Sequence, residues 1–116
     1  MHLVSRCGGV LHGPSGSLQS PDFPNTYGSN QYCRWKITVP VNKKVMIRFK
    51  TLDSEYKKDW VMVSDPKTRT LITALSGINS NEMLFTSSSN EMEVKFTSDN
   101  ERESTGFEAT FEQVCK

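Results

Sequence analysis

Three segments in the first third of the chain carry its strongest structural signal: Cys7-Gly8-Gly9, then Ser20-Pro21-Asp22-Phe23-Pro24-Asn25-Thr26-Tyr27, then Cys33-Arg34-Trp35. Pro21 and Pro24 lie three residues apart, and a turn-forming residue follows each of them. Because proline fixes φ and lacks an N–H group, we expect an extended backbone between the two cysteines. Cys33 opens a strand in which the next inward residue is Trp35.

Alternation with a period of two dominates the chain after residue 33, and no segment shows a helical period. Apolar and polar residues alternate over 33–39, 45–50, 91–96 and 107–112, which predicts strands with one buried and one solvated face. The segment 59–64 is apolar on both sides and predicts a central or covered strand. Weaker strands are predicted over 69–74 and 82–86, with a loop over 76–81. The fold class is therefore all-β, an antiparallel β-sandwich.

Length and composition fit one domain with one core, since the chain has 116 residues and 35% hydrophobic residues. A net charge of +1 gives no electrostatic case for nucleic acid binding. No apolar run approaches the roughly 18 residues of a membrane span, so we expect no direct membrane insertion. Residues 1–6 are too short and polar for a signal peptide, and we interpret them as a linker or expression remnant. A single domain is expected over residues 7–115.

Seven segments, in this order, resemble the CUB domain, an extracellular β-sandwich module used for protein recognition. They are Cys7-Gly8-Gly9, the run of residues 20–27, Cys33-x-Trp35-x-Ile37, Val45-x-Ile47-x-Phe49, Asp59-Trp60-Val61-x-Val63, Val94-x-Phe96-x-Ser98-Asp99 and Gly106-Phe107-x-Ala109-x-Phe111. The resemblance implies the jelly-roll-like fold that CUB domains share with spermadhesins. It also implies a secreted protein or a cell-surface ectodomain, and binding rather than catalysis.

Three cysteines allow one intramolecular disulfide from three pairings. The family's first bridge joins the positions of Cys7 and Cys33, so the resemblance implies this pair. Cys115 then remains to pair with a neighbouring domain, to form an intermolecular bridge or to stay free. The cysteines of the family's usual second bridge are absent here, and we therefore expect weaker constraint on the segments 52–59 and 75–81.

Many CUB domains bind calcium between loops at one end of the sandwich. Their carboxylate ligands map to Glu55, Asp59 and Asp99, with Tyr27 as a supporting hydroxyl and Asn100 near the shell. Calcium takes six to eight hard oxygen ligands, and carboxylates gathered from separate loops would repel one another without a cation. Asp53 competes with Glu55, because the segment before Asp59 is short. The alternative is that these are ordinary solvated loop acids.

The resemblance thus predicts a non-catalytic module in which calcium organises loops that contact a lysine or arginine of a protein partner. The partner-binding residues would be Tyr27, Glu55, Asp59 and Asn100, and neighbouring domains of a longer chain would be further partners. An accessory domain of a secreted modular protease and a structural spacer are the alternatives. No general base is evident for an enzyme, since His12 is expected in a Gly/Pro-rich loop.

Basic residues point outward from two consecutive predicted strands: Arg34, Lys36, Lys44, Arg48 and Lys50. On one face they would form a stripe that attracts sulfated glycans or an acidic protein. Pairing with glutamates of the last two strands is the more common arrangement. Glycan binding is therefore the weaker prediction.

Overall fold

A computed structural model of the chain describes residues 7–21, 23–25, 27–28, 30–54, 58–79, 81–99 and 104–115. The regular elements of these residues are ten strands: β1 Gly9–His12, β2 Ser15–Gln19, β3 Tyr32–Thr38, β4 Lys43–Asp53, β5 Trp60–Asp65, β6 Thr70–Leu75, β7 Ile78–Asn79, β8 Met83–Thr86, β9 Glu91–Thr97 and β10 Gly106–Cys115. The described ranges contain no helix with the length and apolarity needed to cross a membrane.

The strands form two sheets that pack face to face. One sheet has the order β1-β3-β9-β5-β6, and the other has the order β2-β10-β4-β7, with β8 also paired to β4. In β3, Cys33, Trp35 and Ile37 are buried between the sheets, while the residues before and between them are exposed. The predicted all-β sandwich is confirmed.

Three strands, β1, β2 and β7, were not predicted, because their sequences lack clear alternation of apolar and polar residues. β1 lies parallel to β3, whereas the other strand pairs are antiparallel. The expectation of a loop at His12 was wrong, since this residue ends β1. The predicted loop over 76–81 contains the two-residue strand β7. Pairing with longer neighbouring strands, rather than local pattern, places these segments.

Aromatic rings organise the core from its centre to one end. The Phe107 ring lies 5.7 Å from the rings of Trp35, Phe49 and Phe96, measured between centroids, in edge-to-face geometry. Phe96 in turn contacts Tyr27 at 4.8 Å. Edge-to-face contacts add about 0.5–1.5 kcal/mol each beyond the area that they bury. This series of rings fixes Tyr27 at the end of the sandwich where β5 begins.

The disulfide joins Cys7 to Cys33, as the resemblance implied, across 26 residues of sequence. It fastens Cys7, two residues before β1, to the second residue of β3. Closing a loop of this length stabilises a fold by about 3–4 kcal/mol in the chain-entropy model. Cys115 is an exposed free thiol at the end of β10.

The outward basic residues do not form one stripe. Arg34 and Lys36 belong to β3, whereas Lys44, Arg48 and Lys50 belong to β4 of the other sheet. Three ion pairs between described residues reduce their charge further: Arg34–Glu93, Lys36–Glu91 and Arg48–Glu82. Cross-strand pairing, the favoured alternative, is what the structure has for Arg34 and Lys36.

Candidate functional site

Asp59 is a fully buried acid directly before β5. The Tyr27 hydroxyl donates a hydrogen bond to its Oδ2 atom at 2.5 Å, and the backbone N–H of Asp99 donates to its Oδ1 atom at 2.9 Å. An ionised carboxylate offers about four lone-pair directions, so each oxygen can accept one more ligand. No lysine or arginine among the described residues forms an ion pair with Asp59.

Tyr27 is positioned by its backbone as well as by its ring. Its N–H donates to the carbonyl oxygen of Ser104 at 3.0 Å. Gly106, with φ +90°, lies so close that a Cβ there would be 3.2 Å from Cδ2 of Tyr27 and 1.8 Å from Oγ of Ser20. Only glycine fits this position, because a Cβ would overlap Ser20 and press on the Tyr27 ring.

Asp99 follows β9 and is fastened to the segment after Tyr27. Its carbonyl oxygen accepts a hydrogen bond from the Asn30 N–H at 2.7 Å. The Ser98 hydroxyl accepts from the Gln31 N–H at 2.8 Å and donates to the Gly28 carbonyl at 3.0 Å. Three segments distant in sequence therefore converge at one end of the sandwich.

The structure brings together Tyr27, Asp59 and the backbone of Asp99. Glu55 and Asn100 lie outside the described residues. Asp53, the competing candidate, accepts a hydrogen bond from the Thr105 hydroxyl at 3.4 Å, and no described hydrogen bond joins it to Asp59. The described residues contain no group of three or more His, Cys, Asp or Glu side chains that could hold a metal ion. The oxygen atoms that do converge, those of the Tyr27 hydroxyl and the Asp59 carboxylate, are hard ligands of the type that calcium prefers.

Ser54 is a site residue that sequence reasoning missed. It follows β4, is buried, and forms a pair of hydrogen bonds with Gly77: the Ser54 N–H donates to the Gly77 carbonyl at 2.9 Å, and the Gly77 N–H donates to the Ser54 hydroxyl at 3.0 Å. The same hydroxyl donates to the Asp59 carbonyl at 3.1 Å. These bonds join segments that lack a bridging disulfide.

Comparison with known families gives the class of this disulfide-bridged sandwich: residues 7–111 match the CUB domain, and the chain belongs to this family. Human cubilin is 35% identical over 116 residues, a match that covers 97% of this chain and 3% of cubilin. The full extracellular region of zebrafish Gpr126/Adgrg6 has a TM-score of 0.86 and 32% identity, covering 95% of this chain and 15% of that one.

The fold is also that of the MASP-1 CUB2 domain bound to Ca²⁺, with a TM-score of 0.81 at 21% identity over 92% of this chain and 99% of that chain. CUB domains are non-catalytic modules of larger proteins, and proteases are also among the relatives. This chain spans only a few per cent of cubilin's length.

Proposed function

We propose that this CUB domain is an extracellular protein-recognition module in which calcium organises the loops around Asp59. The metal ligands would include Glu55, Asp59 and Asp99. The loops would contact a lysine or arginine of a protein partner through Tyr27, Glu55, Asp59 and Asn100. Neighbouring domains of a longer chain would be its other partners.

The burial of Asp59 carries this proposal. A buried carboxylate is costly unless a cation or several hydrogen bonds compensate its charge. Asp59 accepts one neutral hydrogen bond on each oxygen from the described residues, and the backbone of a second acid, Asp99, lies against it. A cation bound here would compensate the charge that these two bonds leave.

Calcium would supply positive charge and a preference for several oxygen ligands at once. The chain's own residues do the positioning. The Tyr27 hydroxyl orients Oδ2 of Asp59, and the Asp99 N–H orients Oδ1, so that the remaining lone pairs point in fixed directions. A basic side chain of the partner would meet carboxylate oxygens that are already oriented, which limits the entropy lost on binding.

Two observations support an extracellular location. The Cys7–Cys33 disulfide is typical of an oxidising compartment. The matched region of Gpr126/Adgrg6 is extracellular.

Calorimetric titration with calcium tests the metal part. Extracellular calcium modules bind with dissociation constants of about 10⁻⁴–10⁻³ M, and we expect a value in this range. Asp59→Asn and Asp99→Asn should each weaken binding at least about tenfold, because each removes a charged ligand. Glu112→Gln, the same charge change on the exposed face of β10, is the matched control and should bind as the wild type does. Absence of saturable binding in the wild type would refute the metal part.

A lysine analogue tests the partner part. N-acetyl-lysine-methylamide, added with calcium present, should shift the backbone amide resonances of Gly28, Trp60 and Asp99 in NMR spectra. N-acetyl-norleucine-methylamide, which lacks the ammonium group, should not. Equal shifts with both compounds, or shifts that persist in EDTA, would contradict recognition of a basic side chain by calcium-organised loops.

A further inference from the structure

Ser54 joins two segments through a single hydroxyl. Its oxygen accepts the Gly77 N–H at 3.0 Å, and its proton goes to the Asp59 carbonyl at 3.1 Å. Gly77 is buried with φ +87°, between β6 and β7. The hydroxyl therefore connects the turn around Gly77 to the backbone of the residue that anchors the candidate binding end.

Asp59 is held from three directions. Ser54 holds its carbonyl, Tyr27 holds one carboxylate oxygen, and the Asp99 N–H holds the other. Displacing the backbone of a fully buried residue also displaces its side chain, because close packing allows little independent movement. Loss of the hydrogen bond from the Ser54 hydroxyl to the Asp59 carbonyl should therefore weaken the bond that the Asp99 N–H donates to the Asp59 carboxylate. No described hydrogen bond joins Ser54 to Asp99 directly.

We propose that Ser54 is a positioning residue for the binding end: its hydroxyl sets the place of Asp59 and makes the turn around Gly77 open and close together with the Asp59–Asp99 contact. The consequence for calcium affinity rests on the proposed function. The mechanical coupling does not, because it is a property of the chain without metal.

Ser87 provides a closely matched control: it follows β8 and is hydrogen-bonded to Val45 near the start of β4, whereas Ser54 follows the end of β4. It is buried, its N–H donates to the Val45 carbonyl at 2.9 Å, and its hydroxyl accepts the Val45 N–H at 3.0 Å. Its hydroxyl proton goes to the Ser89 carbonyl at 2.7 Å. Ser87→Ala thus removes the same kinds of hydrogen bond as Ser54→Ala without touching Asp59.

Amide hydrogen exchange without calcium tests the coupling. Ser54→Ala should accelerate exchange at least about tenfold at both Gly77 and Asp99, as expected for one cooperative opening unit. Ser87→Ala should accelerate exchange at Val45 and leave Asp99 unchanged. Acceleration at Gly77 alone would show that Ser54 only fastens the turn, and would overturn the proposal.

Calcium affinity provides a second test of the role of Ser54. Ser54→Ala should weaken calcium binding by about tenfold, the lower end for residues that orient metal ligands, and Ser87→Ala should leave it unchanged. Equal affinities in Ser54→Ala and wild type would overturn the positioning role. If the wild type itself binds no calcium, the proposed function fails while the exchange arm still decides the coupling.

The wild-type protein supplies a measurement that needs no variant, should Ser54→Ala fail to fold. Exchange at increasing urea reports the free energy and exposed surface of each opening event. Gly77 and Asp99 should merge into one opening event with a shared urea dependence. An opening at Gly77 that stays separate from that at Asp99 over the whole urea range would contradict the proposal.

Discussion

A buried aspartate lies at each end of β5, and the two have opposite surroundings. Asp65 accepts hydrogen bonds from the N–H groups of Lys67, Thr68, Ser88 and Ser89 and from the hydroxyls of both serines. The carboxylate of Asp59 accepts only the Tyr27 hydroxyl and the Asp99 N–H among the described residues. Both side chains are almost completely inaccessible.

The difference separates an acid whose charge is compensated within the protein from the acid that we propose binds a cation. Six donors compensate the charge of Asp65 within the protein, and they tie the β5–β6 turn to the β8–β9 turn. Asp59 keeps lone pairs and charge that its described neighbours do not satisfy. Burial alone therefore does not distinguish the two acids, whereas the number of donors around each carboxylate does.

The largest expected effect on stability comes from removing Asp65, the aspartate that accepts more hydrogen bonds. Asp65→Ala removes the acceptor of six partly buried hydrogen bonds and should lower the free energy of unfolding by about 3 kcal/mol. Asp59→Asn, measured without calcium, should cost about 1–2 kcal/mol, because fewer bonds are lost and repulsion with other acids is relieved. Urea unfolding at pH 7 measures both. A larger loss for Asp59→Asn would reverse the comparison.

The stabilisation that Asp65 provides should depend on pH. Burial alone raises the pKa of Asp65, but hydrogen bonds from Ser89, Thr68 and Ser88 outweigh it and hold the pKa below its ordinary value of 3.8. Since the folded pKa is the lower one, the stabilisation is complete above about pH 5 and is lost as the pH falls through the folded pKa. The stability difference between wild type and Asp65→Ala should therefore shrink towards pH 2. A difference independent of pH would contradict this account.

The smallest expected effect on stability is that of Tyr27→Phe. The ring contact with Phe96 remains, and the loss of the hydroxyl should cost about 1 kcal/mol. Calcium affinity should nevertheless fall about tenfold, because Oδ2 of Asp59 loses the group that orients it. Tyr32→Phe, at an exposed tyrosine of β3, should change neither quantity. Unchanged calcium affinity in Tyr27→Phe would remove Tyr27 from the site.

The sequence predicts the parts of the fold that depend on local pattern. Strands β3, β4, β9 and β10 are predictable from alternation, since each has a central stretch in which every second residue is buried. β1 and β2 were missed because Gly9–His12 and Ser15–Gln19 have little pattern of their own and depend on pairing with β3 and β10.

The residues of the candidate site likewise fall into those that the sequence could indicate and those that it could not. Tyr27, Asp59 and Asp99 could be named from the resemblance to a family. The role of Ser54 could not, because it depends on Gly77, which lies 23 residues away in sequence. The surroundings of Asp65 could not be predicted either, because nothing local shows that Ser88 and Ser89, more than 20 residues away in sequence, reach it.

Thermal unfolding of wild type, Asp59→Asn and Asp65→Asn with 10 mM calcium or with EDTA tests the contrast between the two aspartates most directly. With a dissociation constant of about 0.1–1 mM, calcium should stabilise the wild type by about 1.4–2.7 kcal/mol and raise its Tm by about 5–10 °C. Asp65→Asn should start from a lower Tm and show the same rise, whereas Asp59→Asn should show almost none. No rise in the wild type, or an equal rise in Asp59→Asn, would contradict the assignment of the binding end to Asp59.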